Sequence, residues 1–413
     1  MRGRTTWRKI LVFLAVMGPG IITGNVDNDA GGLTTYSVAG ARYGLDLLWV
    51  LIPVTVLLAM VQETSARMGA VTGKGLATLV RERFGLRTSV VALSLLFMGN
   101  FAVTVSNFAG VAAASEILGI SRYVSVPAVA FLVWLLVSRG SYRAIERVFL
   151  ALSFVYVTYV VSGVLARPNW DAVLQALVVP RLHPDPGFLI ILIATIGTTI
   201  TPWMPFYQQA LVSDKGLTAG QVGYARLDTY LGALMTDTVS FFIIVSCAVL
   251  LHPRGILIET AAEAAAALGP VAGRYAALLF AVGLLNASAM GASVVPLSTA
   301  HAVAEAFGWE STVGRRFSQA PVFIGLYTVL LILGAGAVLA PGLDLVHTML
   351  LAQTVNGILL PLILILMLKL ASDRRLMGRY ANTRLANAVS WAAASILIAL
   401  TIALLVSSIL LPA

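Results

Sequence analysis

Apolar residues in this chain neither alternate with polar ones at the period of a strand nor form the narrow stripe of a soluble amphipathic helix. They come in long, nearly unbroken runs. A helix that crosses a bilayer needs about 20 largely apolar residues, and eleven such runs are present, near 10–42, 47–66, 89–118, 125–138, 148–166, 187–211, 230–251, 275–304, 322–339, 346–368 and 389–411. Two of them carry polar and helix-breaking residues at their middle. The first reads Gly18-Pro19-Gly20, then Gly24-Asn25-Val26-Asp27-Asn28-Asp29-Ala30-Gly31-Gly32. The sixth reads Gly197-Thr198-Thr199-Ile200-Thr201-Pro202-Trp203-Met204-Pro205. Proline inside a helix removes a backbone donor and clashes with the preceding turn, at about 3 kcal/mol or more. Broken backbone at membrane depth persists only where it lines a cavity or is buried in protein. One such run could be an ordinary kink. Two, at spans one and six, are the pattern of an inverted repeat of five helices each.

Composition agrees. The chain is 59% hydrophobic and 11% charged, with mean hydropathy +0.92; soluble domains run at roughly 45–50% apolar and about 25% charged. The expected architecture is an all-α polytopic membrane protein, one transmembrane domain over 1–413. Repeat one covers about 10–166, repeat two about 187–368, and an extra helix about 389–411. Arg2, Arg4, Arg8 and Lys9 ahead of an apolar run resemble the start of a signal peptide, but the polar segment 25–29 continues directly into more membrane sequence, so a first span without cleavage is expected. With the N-terminus in the cytoplasm, 21 of the 27 basic residues fall in cytoplasmic segments, as the positive-inside rule requires. The formal charge of +9 therefore needs no nucleic acid; anionic lipid at the inner leaflet accounts for it. A multi-pass protein of the inner or plasma membrane is expected, with lipid as its surroundings and a monomer as the expected state. A single cysteine, Cys247, excludes an intramolecular disulfide and a cysteine-based metal site, and the four histidines are widely spaced.

The breaks supply cation ligands. Unwound carbonyls point sideways, and half-helix C-termini carry partial negative charge. Asp27 and Asp29 add formal charge. A carboxylate at the bilayer centre costs at least ~2.5–3.5 kcal/mol, and the spans offer no central Lys or Arg, so a bound cation is the natural partner. Asp29 reads as a ligand; Asp27 reads equally as a ligand or as a helix cap. Asp237 either lines an inner vestibule or pairs with a neighbouring helix, and Gln353 and Asn356 either bond a hydrated ion or join helices. Thr198, a candidate ligand beside the second break, and Thr199 read equally as caps of the broken backbone, Met204 reads as a packing residue, and Glu63 as an ion pair with Arg67 one turn on. An intramembrane aspartyl protease is disfavoured, because carboxylates two residues apart do not converge easily into a dyad. An amino-acid carrier is disfavoured because Asp29 would repel a substrate carboxylate. No enzymatic activity is expected.

Gly18-Pro19-Gly20, an Asp nine residues after Gly20, and Gly31 resemble the first helix of the Nramp family of metal transporters. The stretch Gln62-Glu63-Thr64-Ser65-Ala66-Arg67-Met68-Gly69-Ala70-Val71-Thr72-Gly73-Lys74 resembles the end of that family's second helix, and the likeness runs through essentially all eleven spans. It implies a LeuT-type fold with a divalent cation between helices 1 and 6. The departures are as informative. Asp29-Ala30-Gly31-Gly32 stands where the family reads Asp-Pro-Gly-Asn, so Gly32 replaces an asparagine ligand. Thr201 replaces the family methionine, Trp203 and Gln208 replace two histidines, and Thr104 and Asn107 stand at two acidic positions of the proton route. A glutamine in span 10 is kept as Gln353. Losing the soft thioether leaves an all-oxygen site, which suits Mg²⁺ better than Mn²⁺, Fe²⁺ or Cd²⁺. The chain resembles the Nramp-related magnesium transporters at these positions. The expected metal residues are Asp29, Gly32, Thr198, Thr201, Gln353, Asp27 and Gln208. No cofactor is expected, the metal being cargo: partly hydrated Mg²⁺ taken up without proton coupling, with a proton-coupled Mn²⁺/Fe²⁺ transporter as the alternative.

Overall fold

The computed structural model describes residues 18–139, 153–183, 185–309 and 320–410. The start of the first span, the basic residues Arg2, Arg4, Arg8, Lys9, Arg143, Arg147, Arg315 and Arg316, and the first residues of the fifth span lie outside them. Long helices dominate: α1 (Pro19–Asp27), α2 (Ala30–Tyr43), α3 (Leu51–Thr72), α4 (Leu76–Ile117), α5 (Arg122–Arg139), α6 (Val157–Leu165), α7 (Pro186–Thr199), α8 (Trp203–Asp214), α9 (Val222–Leu250), α10 (Ala276–Phe307), α11 (Pro321–Val338), α12 (Leu345–Ser372) and α13 (Arg384–Leu410). Eight helical stretches among the described residues are long and apolar enough to cross a membrane, and Arg122–Ser138 is a shorter apolar helix. With the broken pair α1/α2 and with α6, these account for the eleven runs read from the sequence.

Boundaries differ from expectation where caps decide them. The second span runs on to Thr72 because Gly73 (φ +63°) closes it, its N–H bonded to the Gly69 carbonyl. The third begins at Leu76, thirteen residues before the apolar run at 89, and bends at Gly85 (φ +79°), a conformation that costs a residue with a Cβ far more. The first break is confined to Asn28 and Asp29, while Gly31 and Gly32 lie in the first turn of α2. Pro19 starts α1, where its missing donor costs nothing. The second break spans Ile200, Thr201 and Pro202, between α7 and α8.

Bulky apolar side chains face outward, Phe154 at 77% and Leu132 at 60% exposure, as expected when lipid is the solvent. Inside, small residues bring backbones together. Gly197 of α7 lies against the backbone of Gln353 and Gly357 in α12, and Gly20 of α1 lies against the backbone of Asp228 and Thr229 in α9, where a Cβ would come within 2.7 Å. These two approaches seat α1, α7, α9 and α12 around the breaks. Basic residues separate to the two ends of the bundle. At one end Arg67 and Arg226 both hold Glu63, at 3.0 and 2.7 Å, and Arg67 also reaches the Tyr380 carbonyl and Asn382. At the other, Arg181 and His183 hold Asp46. The Glu63–Arg67 pair expected from sequence is present, enlarged by Arg226.

Candidate functional site

The two breaks face each other inside the bundle. Asp29 is the N-cap of α2: its Oδ1 accepts from the Gly32 N–H at 3.0 Å. Its Oδ2 accepts from Asn107 Nδ2 of α4 at 2.8 Å, and Gln353 Nε2 of α12 approaches Oδ1 at 3.5 Å. Asn107 is itself set by bonds to the Val103 carbonyl and the Ala30 N–H. Gln353 is seated by Asn356, which donates to its Oε1 at 3.1 Å, and by Gly31, where any Cβ would overlap the Gln353 amide. Three helices thus converge on one carboxylate that is 4% exposed.

Asp27 behaves differently. It ends α1 and caps nothing; both carboxylate oxygens lack a hydrogen-bond partner, at 3% exposure. Between the cap and ligand readings of this residue, the cap belongs to Asp29. Thr198 and Thr201 are buried, and their hydroxyls also have no partner. A Cβ on Gly32 would stand 2.9 Å from the Asp27 carbonyl oxygen and 3.2 Å from Thr198 Oγ1, so glycine here keeps a carbonyl and a hydroxyl facing a common space. Thr199 is engaged, its Oγ1 bonded to the Thr195 carbonyl and to Tyr36 Oη at 2.7 Å. Gln208 is not brought to Asp29: its Oε1 accepts from Thr23 at 3.0 Å and its Nε2 donates to Thr229 at 3.5 Å, along the α1–α9 wall. Met204 is fully buried in the apolar core.

Two carboxylates that the expected set omits matter. Asp228 of α9 accepts from the Gly18 and Gly20 N–H groups at 3.1 and 2.7 Å, tying down the start of α1. Asp237 of α9 lies within electrostatic reach of Asp27. Only the glycines and proline at 18–20 hinted at the first, by leaving free donors; nothing local pointed to the second beyond a charge inside a span. Among the described residues no three His, Cys, Asp or Glu side chains converge to hold a metal by themselves, so a cation here must draw on hydroxyl, amide, carbonyl or water oxygens. A cavity of about 740 Å³ at the Glu63 end is rimmed by Arg67, Arg226 and Arg379 and includes none of the break residues; three guanidinium groups make it a poor cation site.

A broken, buried, anionic centre inside an all-helical bundle of lipid-facing spans defines a multi-pass membrane transporter fold. Known proteins agree. Over 96% of this chain and 86% of the other, it superposes on the manganese transporter of Eremococcus coleocola, in complex with an aromatic bis-isothiourea compound, with TM-score 0.78 and 22% identity. It superposes on MhsT in complex with L-phenylalanine with TM-score 0.59 and 16% identity, over 96% and 98% of the two chains. These likenesses establish a LeuT-type fold. In sequence it is 27% identical to the divalent metal cation transporter MntH of Aeromonas hydrophila, over 96% of each chain. Residues 20–407 match the Nramp family, natural resistance-associated macrophage protein-like, and the chain belongs to that family.

Proposed function

We propose that this protein carries divalent metal cations across the inner or plasma membrane by alternating access, and that its cargo is partly hydrated Mg²⁺ taken up without proton coupling. The class of cargo follows from the family and from relatives described as divalent metal cation transporters. The observation that carries the choice of ion is the chemistry around Asp29: the side chains that reach it are amides, the unpartnered groups at the two breaks are carboxylate and hydroxyl oxygens, Met204 lies in the apolar core, and the Met349 sulfur is taken by the Thr34 hydroxyl at 3.4 Å. Oxygen-only surroundings favour a hard cation. In this reading Asp29 supplies the anion, the Asp27 carbonyl and Thr198, with Thr201, supply neutral oxygens, and Gln353 orients Asp29 or a water on the ion. Gln208 would line the path. The repeats at 10–166 and 187–368 would rock about the site, leaving helix 389–411 outside the motion. The end bearing Arg67, Arg226 and Arg379 would face the cytoplasm, and the inside-negative potential, worth about 2.3 kcal/mol per charge per 100 mV, would drive uptake.

A second reading, proton-coupled Mn²⁺ transport, is favoured by the relatives, whose descriptions include a manganese transporter. Proteoliposomes with a pH dye inside separate the two. Mg²⁺ should enter at millimolar concentration and compete with Mn²⁺, without acidifying the lumen. Mn²⁺ uptake with no Mg²⁺ flux, or a metal-dependent proton influx, would establish the second reading instead.

A further inference from the structure

Asp237 sits at the middle of α9, and its neighbours fix it against the first break. Thr236 Oγ1 donates to the Gly24 carbonyl at 2.5 Å, Asn28 Nδ2 donates to the Thr236 carbonyl at 3.2 Å, and Ser240 Oγ meets Asn28 Oδ1 at 3.3 Å. These bonds clamp α9 to the residues on both sides of Asp27, and Asp237, like Asp29, lies within electrostatic reach of Asp27. Tyr36 lies within reach of both, its own hydroxyl held by Thr199 at 2.7 Å. Thr55 stands beside Asp237, with its hydroxyl turned to the Leu51 carbonyl at 2.6 Å.

Neither oxygen of Asp27 has a hydrogen-bond partner, and the one hydroxyl proton of Thr55, the polar neighbour of Asp237, goes to the Leu51 carbonyl, so the Asp237 oxygens are left without a donor as well; the residues are 3% and 5% exposed. No Lys or Arg ion pair among the described residues reaches either one. Unpaired charge in a bilayer core costs at least ~2.5–3.5 kcal/mol per group, and buried charges persist when they are paired or coordinate a metal. A dyad sharing one proton would bring two of these oxygens within hydrogen-bonding distance, and no such pair exists here. Two carboxylates balance one divalent ion. Asp29, by contrast, has both oxygens engaged, by Gly32, Asn107 and Gln353. Starting from the reading of the chain as a divalent-cation carrier, we propose that Asp27 and Asp237 form a second binding position for the divalent cation, between α1 and α9 and separate from the Asp29 side of the break. The ion then passes between two stations, each anionic.

Counting ions tests this. Mn²⁺ bound to the purified full chain in detergent, measured by the loss of the free-ion EPR signal across a titration, should reach two per chain in the wild type. Asp237→Asn, nearly isosteric, should leave one and lower uptake at least tenfold, while Asp237→Glu, which keeps a carboxylate, should restore the second. Asp29→Ala should also leave one. A wild-type count of one, unchanged in a monodisperse Asp237→Asn protein, would overturn the proposal. So would an Asp237→Asn protein with an unchanged Mn²⁺ count and an altered pH profile of uptake, which would make the pair a proton carrier. If Asp29→Ala keeps full uptake and both ions, it is the reading of the Asp29 site that fails, a result distinguishable from failure at Asp237.

Discussion

Asn107 is the residue whose removal should be most informative. It holds Asp29 from outside the break: Nδ2 donates to Oδ2 at 2.8 Å, while the Val103 carbonyl and the Ala30 N–H fix the amide's own orientation. Asn107→Leu keeps the branching and the number of heavy side-chain atoms and deletes the donor. A hydrogen bond to a charged group contributes about 1.5–3 kcal/mol, and every 1.4 kcal/mol is tenfold in an equilibrium constant. Groups that orient a metal ligand are worth about 10–100-fold in affinity by a separate route. Both arguments converge on a rise in KM for metal uptake of one to two orders of magnitude, with a smaller effect on the maximal rate because the ligand itself remains. The assay is initial-rate Mg²⁺ and Mn²⁺ influx into proteoliposomes at matched protein content. Asn107→Asp has the same size but sets a second carboxylate against Asp29 in place of a donor, so it should be worse than Asn107→Leu. Were Asn107→Leu to transport with wild-type KM, the claim that Asp29 is held in a working orientation from α4 would be refuted.

Three further outcomes are expected. Asp29→Ala should abolish uptake while the protein still elutes as a monodisperse species, since it removes the formal anion while the lost N-cap of α2 costs only about 0.5–2 kcal/mol; a folded variant with normal uptake would remove Asp29 from the site. Thr201→Met combined with Gly32→Asn should move preference toward Mn²⁺ or Cd²⁺ and weaken Mg²⁺ transport, and the asparagine should also cost stability. Its Cβ would press to 2.9 Å on the Asp27 carbonyl oxygen, overpacking of a kind that costs about 1–3 kcal/mol, readable as a lower melting temperature; unchanged selectivity in the folded double variant would argue against a hard site. Asp228→Ala should loosen the start of α1 by removing the acceptor of the Gly18 and Gly20 N–H groups. One such bond at about 1.5 kcal/mol makes thiol labelling of a Thr23→Cys reporter roughly tenfold faster, and an unchanged rate would show that α1 is held by packing alone.

The features that residue order alone dictates are those ruled by local chemistry. Runs of apolar residues demand a bilayer, and Gly, Pro and Asn in the middle of such runs demand breaks; both demands are met within a few neighbouring residues. Hence the apolar spans and the two interruptions were legible among the described residues, as was the Glu63–Arg67 pair one helical turn apart. Helix ends were less so, because the cap at Gly73, and not hydropathy, stops α3, and α4 runs on through a bend at Gly85. The tertiary structure decided everything that depends on which helix faces which. Asn107 reaches Asp29 across 78 positions and Gln353 across 324, while Asp228 reaches Gly18 across 210. The same packing turned Gln208 to the α1–α9 wall and set Asp237 within electrostatic reach of Asp27. In a membrane, water does not drive helices together, so close approach falls to small residues such as Gly20 and Gly197 meeting a partner backbone. The register of those meetings lies in the fit of two distant surfaces, which no single stretch of sequence contains.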